Sequence, residues 1–254
     1  MKLTVLGSGT TVPHPSRASA AYWVETPAGA ILLDCSAPAI YRATQEGLPW
    51  WRLGAIWISH FHMDHVGGLA PFLAGTRHAP QMKDRTEPLR IFGGPGLKDL
   101  LETFNSAYPY KLFEQPFPLE ITEVEDRMSF EMLPGIEARA FSTPHTPESH
   151  AVRISDGEKS LVYTADTGYS RELGEFAMSA DLLVIESSYP ANKTTEKHLE
   201  LKEAMEIIGI AAPKRAMLTH LYQVWDDVNG EAEIAKFEPG CEVSLAYDGL
   251  VLEI

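Results

Sequence analysis

The chemistry of this chain is concentrated in six residues, His60-Phe-His62-Met-Asp64-His65, which follow the apolar run Ala55-Ile-Trp-Ile-Ser59. Three imidazoles and a carboxylate in so short a space form a metal site, because neutral imidazole and carboxylate suit zinc or another borderline divalent ion. An extended segment projects residues i and i+2 to the same side, so His60 and His62 can grip one ion together. The chain must turn at Asp64, which leaves Asp64 and His65 free to serve a second ion a few ångströms away. A histidine tag or a His-rich surface loop would not sit between a buried strand and the apolar helix start Val66-Gly-Gly-Leu-Ala-Pro-Phe-Leu.

Two ions need more than four ligands. His145 follows the strand-like Ile136-Glu-Ala-Arg-Ala-Phe-Ser142, Asp166 ends Leu161-Val-Tyr-Thr-Ala165, and His220 ends Ala216-Met-Leu-Thr219. Each is a polar residue at the carboxyl end of an apolar run, where a layered α/β domain places its chemistry. A lone histidine after a strand is more often a hydrogen-bonded structural residue; beside the first cluster, these three complete a ligand set.

The elements that must position them follow from periodicity. Strand-like runs at 2–6, 21–26, 30–34, 55–59 and 89–92 alternate with helical stretches at 38–45, 66–74 and 96–105. A second set of strands, at 136–142, 151–154, 161–165, 181–185, 215–219, 242–247 and 250–254, is interleaved with helical stretches at 171–178, 196–211 and 228–237. Two similar halves emerge. Each pairs its strands in a sheet covered by helices on one face, so the expected fold is α/β, a four-layer αβ/βα sandwich with the metals along one edge. The stretch 108–131 has no clear assignment. No linker or low-complexity segment interrupts the alternation, so residues 1–254 are expected to form a single domain.

Composition narrows the function classes. The chain has 254 residues, of which 44% are hydrophobic, enough to bury a full core. Its 21 basic and 35 acidic side chains leave a net charge of −14. A protein that grips a large polyanion is expected to show a basic stripe, and none is visible, so nucleic acid is not the favoured partner. No run approaches the ~20 apolar residues of a spanning helix, and Met1-Lys-Leu-Thr-Val leads straight into a strand, so no membrane association and a cytoplasmic location are expected. Cys35 and Cys241, far apart in apolar contexts, read as free thiols in a reducing compartment.

The order HxHxDH, a single His, an Asp in Tyr163-Thr-Ala-Asp-Thr-Gly168 and a last His resembles the signature of the metallo-β-lactamase superfamily along the whole chain. Leu3-Thr-Val-Leu-Gly-Ser-Gly-Thr10 with Pro13, Arg17 and Ser19, and Leu32-Leu-Asp34-Cys, are similar to its ribonuclease Z and phosphodiesterase branch. So are Ile185-Glu186-Ser-Ser and Lys197-His198-Leu. The resemblance implies that His60, His62 and His145 hold one ion, that Asp64, His65 and His220 hold another, and that Asp166 bridges them together with a water or hydroxide. It implies two zinc ions per chain, although manganese or iron can be loaded into similar ligands. Asp64 would also take a proton from the bridging water. Glu186 and His198 would form a pair outside the ligands, with His198 reaching the leaving oxygen as a general acid.

Two departures bear on substrate. Ribonuclease Z enzymes carry a long basic arm, whereas the run from Asp166 to Glu186 holds one short helix-like segment. The loop 74–89 mixes Arg77, Lys83 and Arg85 with acids and reads as a solvated loop. The expected activity is therefore a dinuclear phosphodiesterase acting on a small phosphodiester. The alternatives are an ester, thioester or lactone hydrolase of the same superfamily, a transfer RNA 3′-processing endonuclease lacking the arm, and a binding module that has lost catalysis; the complete ligand set argues against the last. His62, where an oxygen-reducing iron enzyme of the superfamily would carry an acid, favours hydrolysis. Among the remaining residues, Gly7-Ser-Gly9 is expected to make a tight turn at the rim whose amides could face substrate. Asp34 is expected to orient a ligand imidazole. His150 could lie on the rim, and His14 and His78 are expected to be exposed bystanders. Trp50, Trp51 and Leu53, if exposed, would form a packing or homodimer patch.

Overall fold

The computed structural model describes residues 1–254, and most of its strands fall where short apolar runs do. Strands β1 (Lys2–Gly7), β2 (Ala21–Thr26), β3 (Gly29–Leu33), β4 (Leu53–Ile58), β5 (Leu89–Gly93) and β6 (Leu119–Glu123) form one sheet. Its far edge is taken by the last strand of the chain, β14 (Val251–Glu253), giving the order β14-β1-β2-β3-β4-β5-β6. The second sheet, β13-β12-β11-β10-β9-β8-β7, contains β7 (Ser129–Leu133), β8 (Ile136–Ser142), β9 (His150–Ser155), β10 (Ser160–Tyr163), β11 (Leu182–Glu186), β12 (Arg215–Thr219) and β13 (Glu242–Leu245). Each sheet is antiparallel in one half and parallel in the other, the parallel half being β3 to β6 in the first and β10 to β13 in the second.

Parallel strands require crossovers, and helices provide them. In the first half these are α1 (Ala39–Gln45), α2 (Met63–Val66), α3 (Leu69–Thr76) and α4 (Leu97–Ala107); in the second, α5 (Arg171–Phe176), α6 (Leu201–Ala211) and α7 (Gly230–Ala235). Covered on both faces, β4 and β11 are almost wholly buried and read as continuous apolar runs. Side chains alternate between two cores. Val5, Tyr22, Ile31, Leu33 and Trp57 meet Val152, Ile154, Leu161, Tyr163 and Met217 between the sheets. Trp23, Leu32, Ile56 and Ile58 turn outward to α1, α3 and α4, while Val162, Leu183, Ile185 and Leu218 turn to α5 and α6. The αβ/βα sandwich expected from the sequence is the fold observed.

Several local expectations are corrected. The 250–254 run, grouped above with the second half, crosses to the first sheet, where Leu252 faces Leu3. The unassigned stretch 108–131 contains β6 and the start of β7. Both are edge strands with only partly buried residues over most of their length, so neither shows a clean apolar alternation. The helix expected at 196–211 begins only at Leu201, behind a capping box formed by Glu200 and Glu203. Leu53 is fully buried and Trp50 packs its edge on Phe72, so Trp51 alone of the expected patch is substantially exposed. Arg85 is half-buried within that loop: it donates to the carbonyls of Trp51, Glu87 and Pro88 and lies over Phe117. No helix is long and apolar enough to cross a membrane. Both cysteines are free, Cys35 buried and Cys241 half-buried.

Candidate metal centre

Five parallel strands, β3, β4, β10, β11 and β12, point their carboxyl ends at one edge of the sandwich, and each delivers a polar residue there: Asp34, His60, Asp166, Glu186 and His220. Three turns over this edge are made by non-glycine residues in the left-handed region, Asp34 (φ 59°), Ala165 (φ 55°) and His220 (φ 57°). Such a conformation costs roughly 1–2 kcal/mol for an L-residue, and its clustering at one edge is backbone strain gathered at a site.

The structure brings all seven expected ligands together. His60 Nε2 lies 3.0 Å from His62 Nδ1, which is 3.1 Å from His145 Nε2. Asp166 Oδ2 is 3.7 Å from His60 Nε2 and 3.8 Å from His145 Nε2, closing the first group. In the second, Asp64 Oδ2 lies 3.7 Å from His65 Nε2 and 3.5 Å from His220 Nε2. Asp166 reaches this group too, its Oδ1 3.3 Å from His65 Nε2 and its Oδ2 3.3 Å from His220 Nε2. Ligands about 2.1 Å from a tetrahedral ion are separated by roughly 3.4 Å, so these spacings are those of donors around a common centre. His65 Nε2, His220 Nε2 and Asp166 Oδ1 are moreover buried with no hydrogen-bond partner. Orphaned buried donors and acceptors are costly, and a cation satisfies all three at once. The residues fit divalent metal.

Four of the five ligand imidazoles are oriented from behind, while His62 turns its Nδ1 to the centre. His65 Nδ1 donates to Asp34 Oδ2 (2.7 Å), and His60 Nδ1 pairs with Ser59 Oγ (3.1 Å), which itself donates to Asp34 (2.8 Å). His145 Nδ1 donates to the carbonyl of Lys197 (2.9 Å). His220 Nδ1 pairs with Ser188 Oγ (3.0 Å), which donates to Glu186 Oε2 (2.7 Å). With Nδ1 engaged, Nε2 is the atom presented to the centre, the tautomer a metal ligand needs. Asp34 thus has the orienting role expected of it. Ser59, Ser188 and the Lys197 carbonyl were not apparent from the sequence, because serine and backbone carry no signature of their own.

The electrostatics of the cluster follow from burial and opposite charge. Burial, aided by the charge of His65, pushes His60 well below the ordinary imidazole range, and burial also lowers His145. For His65 burial is outweighed by Asp166 and Asp34, which hold it well above that range. Burial likewise opposes ionisation of Asp166 and Asp64, but the surrounding histidines prevail and keep both carboxyls low, so both stand ready as anionic donors.

Glu186 and His198 meet as a pair beside the ligands. Glu186 Oε1 accepts from His198 Nδ1 (3.0 Å) and from the amide of Thr167 (2.7 Å), while its Oε2 accepts from the amide of Leu199 (3.1 Å). The His198 ring stacks on His220 (5.3 Å between centroids) and tilts against His145 (5.0 Å). A ring nitrogen of His198 comes within 4.8 Å of donor atoms of Asp166 and His220. Burial works against the imidazolium, but the hydrogen bond and charge of Glu186 raise the His198 pKa above its ordinary value.

Other expected residues lie away from the chemistry. The Ser8 amide donates to Asp248 Oδ1 and that of Gly9 to the Ala18 carbonyl, so neither faces substrate. A Cβ at Gly7 would lie 2.0 Å from the Ser19 carbonyl, so glycine is needed there for close packing. His150 is buried, bonded to Ser142 Oγ and the Glu148 carbonyl, and is a structural residue. His14 is not an exposed bystander: its side chain is 9% exposed and pairs with Asp226 (2.7 Å) beside Arg17. His78 is exposed as expected.

Comparison with known proteins agrees with this geometry. A family described as the β-lactamase superfamily domain matches residues 30–221. The probable metallo-hydrolase YhfI of Bacillus subtilis is 27% identical over the full length of both chains, and its crystal structure superposes with a TM-score of 0.80 over 99% of each. A ribonuclease Z of Mycobacterium bovis is 26% identical over 87% of this chain and 85% of its own length. A diphosphatase of the PhnP family shares the fold, with a TM-score of 0.77 and 21% identity over 100% of this chain and 97% of its own.

Proposed function

We propose that this chain, which belongs to the β-lactamase superfamily and is a metal-dependent hydrolase, uses two divalent ions to cleave a small phosphodiester. The ions would be held by His60, His62 and His145 on one side and by Asp64, His65 and His220 on the other, with Asp166 common to both. Their chemistry would be to activate water near neutral pH and to neutralise the charge that grows on the phosphoryl oxygens. The nitrogen-rich donor set suits zinc.

The observation that carries the phosphodiesterase reading is the Glu186–His198 pair. An alkoxide leaving phosphorus must be protonated, and an imidazole with a raised pKa, oriented through Nδ1 and aimed at the ligand cluster, is suited to do it. Asp64, held anionic beside His220 in the second group, would accept the proton of the attacking water. His60, His65, His145 and His220 stay fixed while this happens, because Asp34, Ser59, Ser188 and the Lys197 carbonyl hold their far nitrogens. A small substrate is favoured over RNA. The net charge is −14, and α5 with its short connections is all that lies between Asp166 and Glu186.

Leaving-group dependence tests this reading. Replacing His198 with Ala should lower kcat on an alkyl phosphodiester by about 10²–10⁴-fold, the usual contribution of general acid catalysis. An activated aryl phosphodiester, whose leaving group needs little protonation, should lose far less, and the metal content should stay at the wild-type level. Equal loss on both substrates, or none on either, refutes it and leaves an ester, thioester or lactone hydrolase as the better account.

A further inference from the structure

The segment that carries His198 is neither strand nor helix but a closed strap, Tyr189 to Glu200, between β11 and α6. Its neck is pinned by backbone bonds, Tyr189 N–H to the Leu199 carbonyl (3.2 Å) and Leu201 N–H to the Tyr189 carbonyl (2.8 Å). Its returning limb serves the metal centre twice, through the Lys197 carbonyl that accepts from His145 and through His198 itself. That limb also presses on the turn containing Asp166, since a Cβ at Gly168 would lie 2.2 Å from the Glu196 carbonyl.

What fixes the tip is one lysine. Lys193 Nζ lies 2.7 Å from the largely buried Glu203 Oε1, in the first turn of α6, and 2.9 Å from Glu196 Oε2, an exposed carboxylate on the returning limb whose pairing is the weaker arm. Its side chain is only 10% exposed. Its amide reaches Glu200 Oε2 (3.4 Å), so all three acids around the start of α6 converge on this residue. Burial disfavours the ammonium, yet hydrogen bonds to Glu203 and Glu196 hold its pKa above the ordinary lysine value. The other side-chain contacts of the tip lie at the surface, Tyr189 to Thr194 and the Lys197 amide to Thr195 Oγ1, each across 3.2 Å. Without the cation, Glu196, Glu200 and Glu203 would repel one another and open the strap.

We propose that Lys193 is a positioning residue: by clamping the strap tip to Glu203 and Glu196 it fixes both the Lys197 carbonyl behind His145 and the His198 imidazole beside the centre. The part concerning His198 rests on the phosphodiesterase reading, whereas the part concerning His145 does not.

The test compares K193M, K193R and, as a control that breaks a remote lysine–aspartate pair, K214M. In K193M, hydrogen exchange of amides 190–199 should rise by about 10-fold while the strands keep their protection. Zinc affinity, read by chelator competition, should fall about 10–100-fold, the usual loss when a ligand's orienting partner is disturbed. On the alkyl phosphodiester kcat should fall by a similar factor with KM near wild type, and the aryl substrate should be largely spared. K193R should restore most of each, and K214M should change only thermal stability. If K193M does not fold, E203Q, which removes the charge and leaves one acceptor oxygen for both Lys193 and the Glu200 amide, should show the same pattern at smaller size. Strap exchange and zinc affinity in K193M no different from K214M overturn the inference. If H198A shows no leaving-group dependence, the phosphodiesterase reading falls, and exchange and zinc affinity still decide the role of Lys193.

Discussion

The metal centre rests on a buried carboxylate, and removing it offers a sharp test of how the site is built. Asp34 is wholly buried and accepts four hydrogen bonds: from the Ser59 amide (2.8 Å), Ser59 Oγ (2.8 Å), His65 Nδ1 (2.7 Å) and the Tyr163 hydroxyl (2.7 Å). Tyr163 remains a donor because burial and the Asp34 charge push its phenol well above the ordinary range. In Asp34→Ala the Ser59 hydroxyl can turn elsewhere, but the Ser59 amide, the His65 ring N–H and the Tyr163 O–H are left buried and unpaired. Each such loss costs about 1–3 kcal/mol, and Ala adds roughly 1 kcal/mol of left-handed strain at φ 59° that Asp and Asn tolerate better. Allowing for local relaxation, a net destabilisation of about 4 kcal/mol is expected, which for a chain of this size lowers Tm by roughly 8–16 °C. Asp34→Asn keeps the shape, the backbone conformation and acceptors for two of the donors, so it should cost about half as much. Both substitutions free His65 to rotate and should weaken zinc binding about 10–100-fold. Calorimetry of the metal-free proteins and chelator competition measure the two effects separately. A Tm unchanged within 2 °C in Asp34→Ala, or zinc affinity at the wild-type level in both variants, would refute the reasoning.

Two further outcomes are expected. Asp166 is the one residue within reach of both ligand groups, so Asp166→Ala should retain at most one ion per chain against the two proposed for the wild type, as read by elemental analysis under metal-replete conditions; a wild type that never exceeds one ion sinks the dinuclear proposal. Asp181, whose carboxylate pairs with Lys214 (2.7 Å) and accepts from the Ser160 amide (2.8 Å), has its pKa lowered to about 2, these bonds outweighing burial. A depressed folded-state pKa stabilises the fold above the unfolded value near 3.8 and loses that contribution as pH falls towards 2. Lys214 is solvent-exposed, so screening reduces the contribution to about 1 kcal/mol. The stability gap between wild type and Asp181→Asn, followed by urea unfolding, should therefore be full at pH 6 and close between pH 4 and 2; a gap independent of pH contradicts this assignment.

What the sequence determined was the candidate ligand cluster and the layered fold, because both are written in short-range patterns. His60 and His62 read as co-ligands from spacing alone, and β4, β8, β10 and β12 from apolar runs whose ends carry His60, His145, Asp166 and His220. Tertiary structure decided everything that depends on contacts distant along the chain. Tyr163 reaches Asp34 across 129 positions and the Lys197 carbonyl reaches His145 across 52, and no local pattern encodes either. The stretch 196–211 has a helical sequence as far as propensity goes, yet Glu196 to Glu200 form a turn that runs into a single bridge, because Glu186 holds His198 and Leu199 while Lys193 pairs with Glu196. The edge strands β6 and β7 were invisible for the converse reason: half-exposed strands need little apolar alternation, and only the neighbouring strands β5 and β8 give them their hydrogen-bond partners. Short-range order lies in the residues themselves, while the orientation of the metal ligands exists only once the two sheets have closed on each other and brought Asp34, Ser188 and the strap behind them.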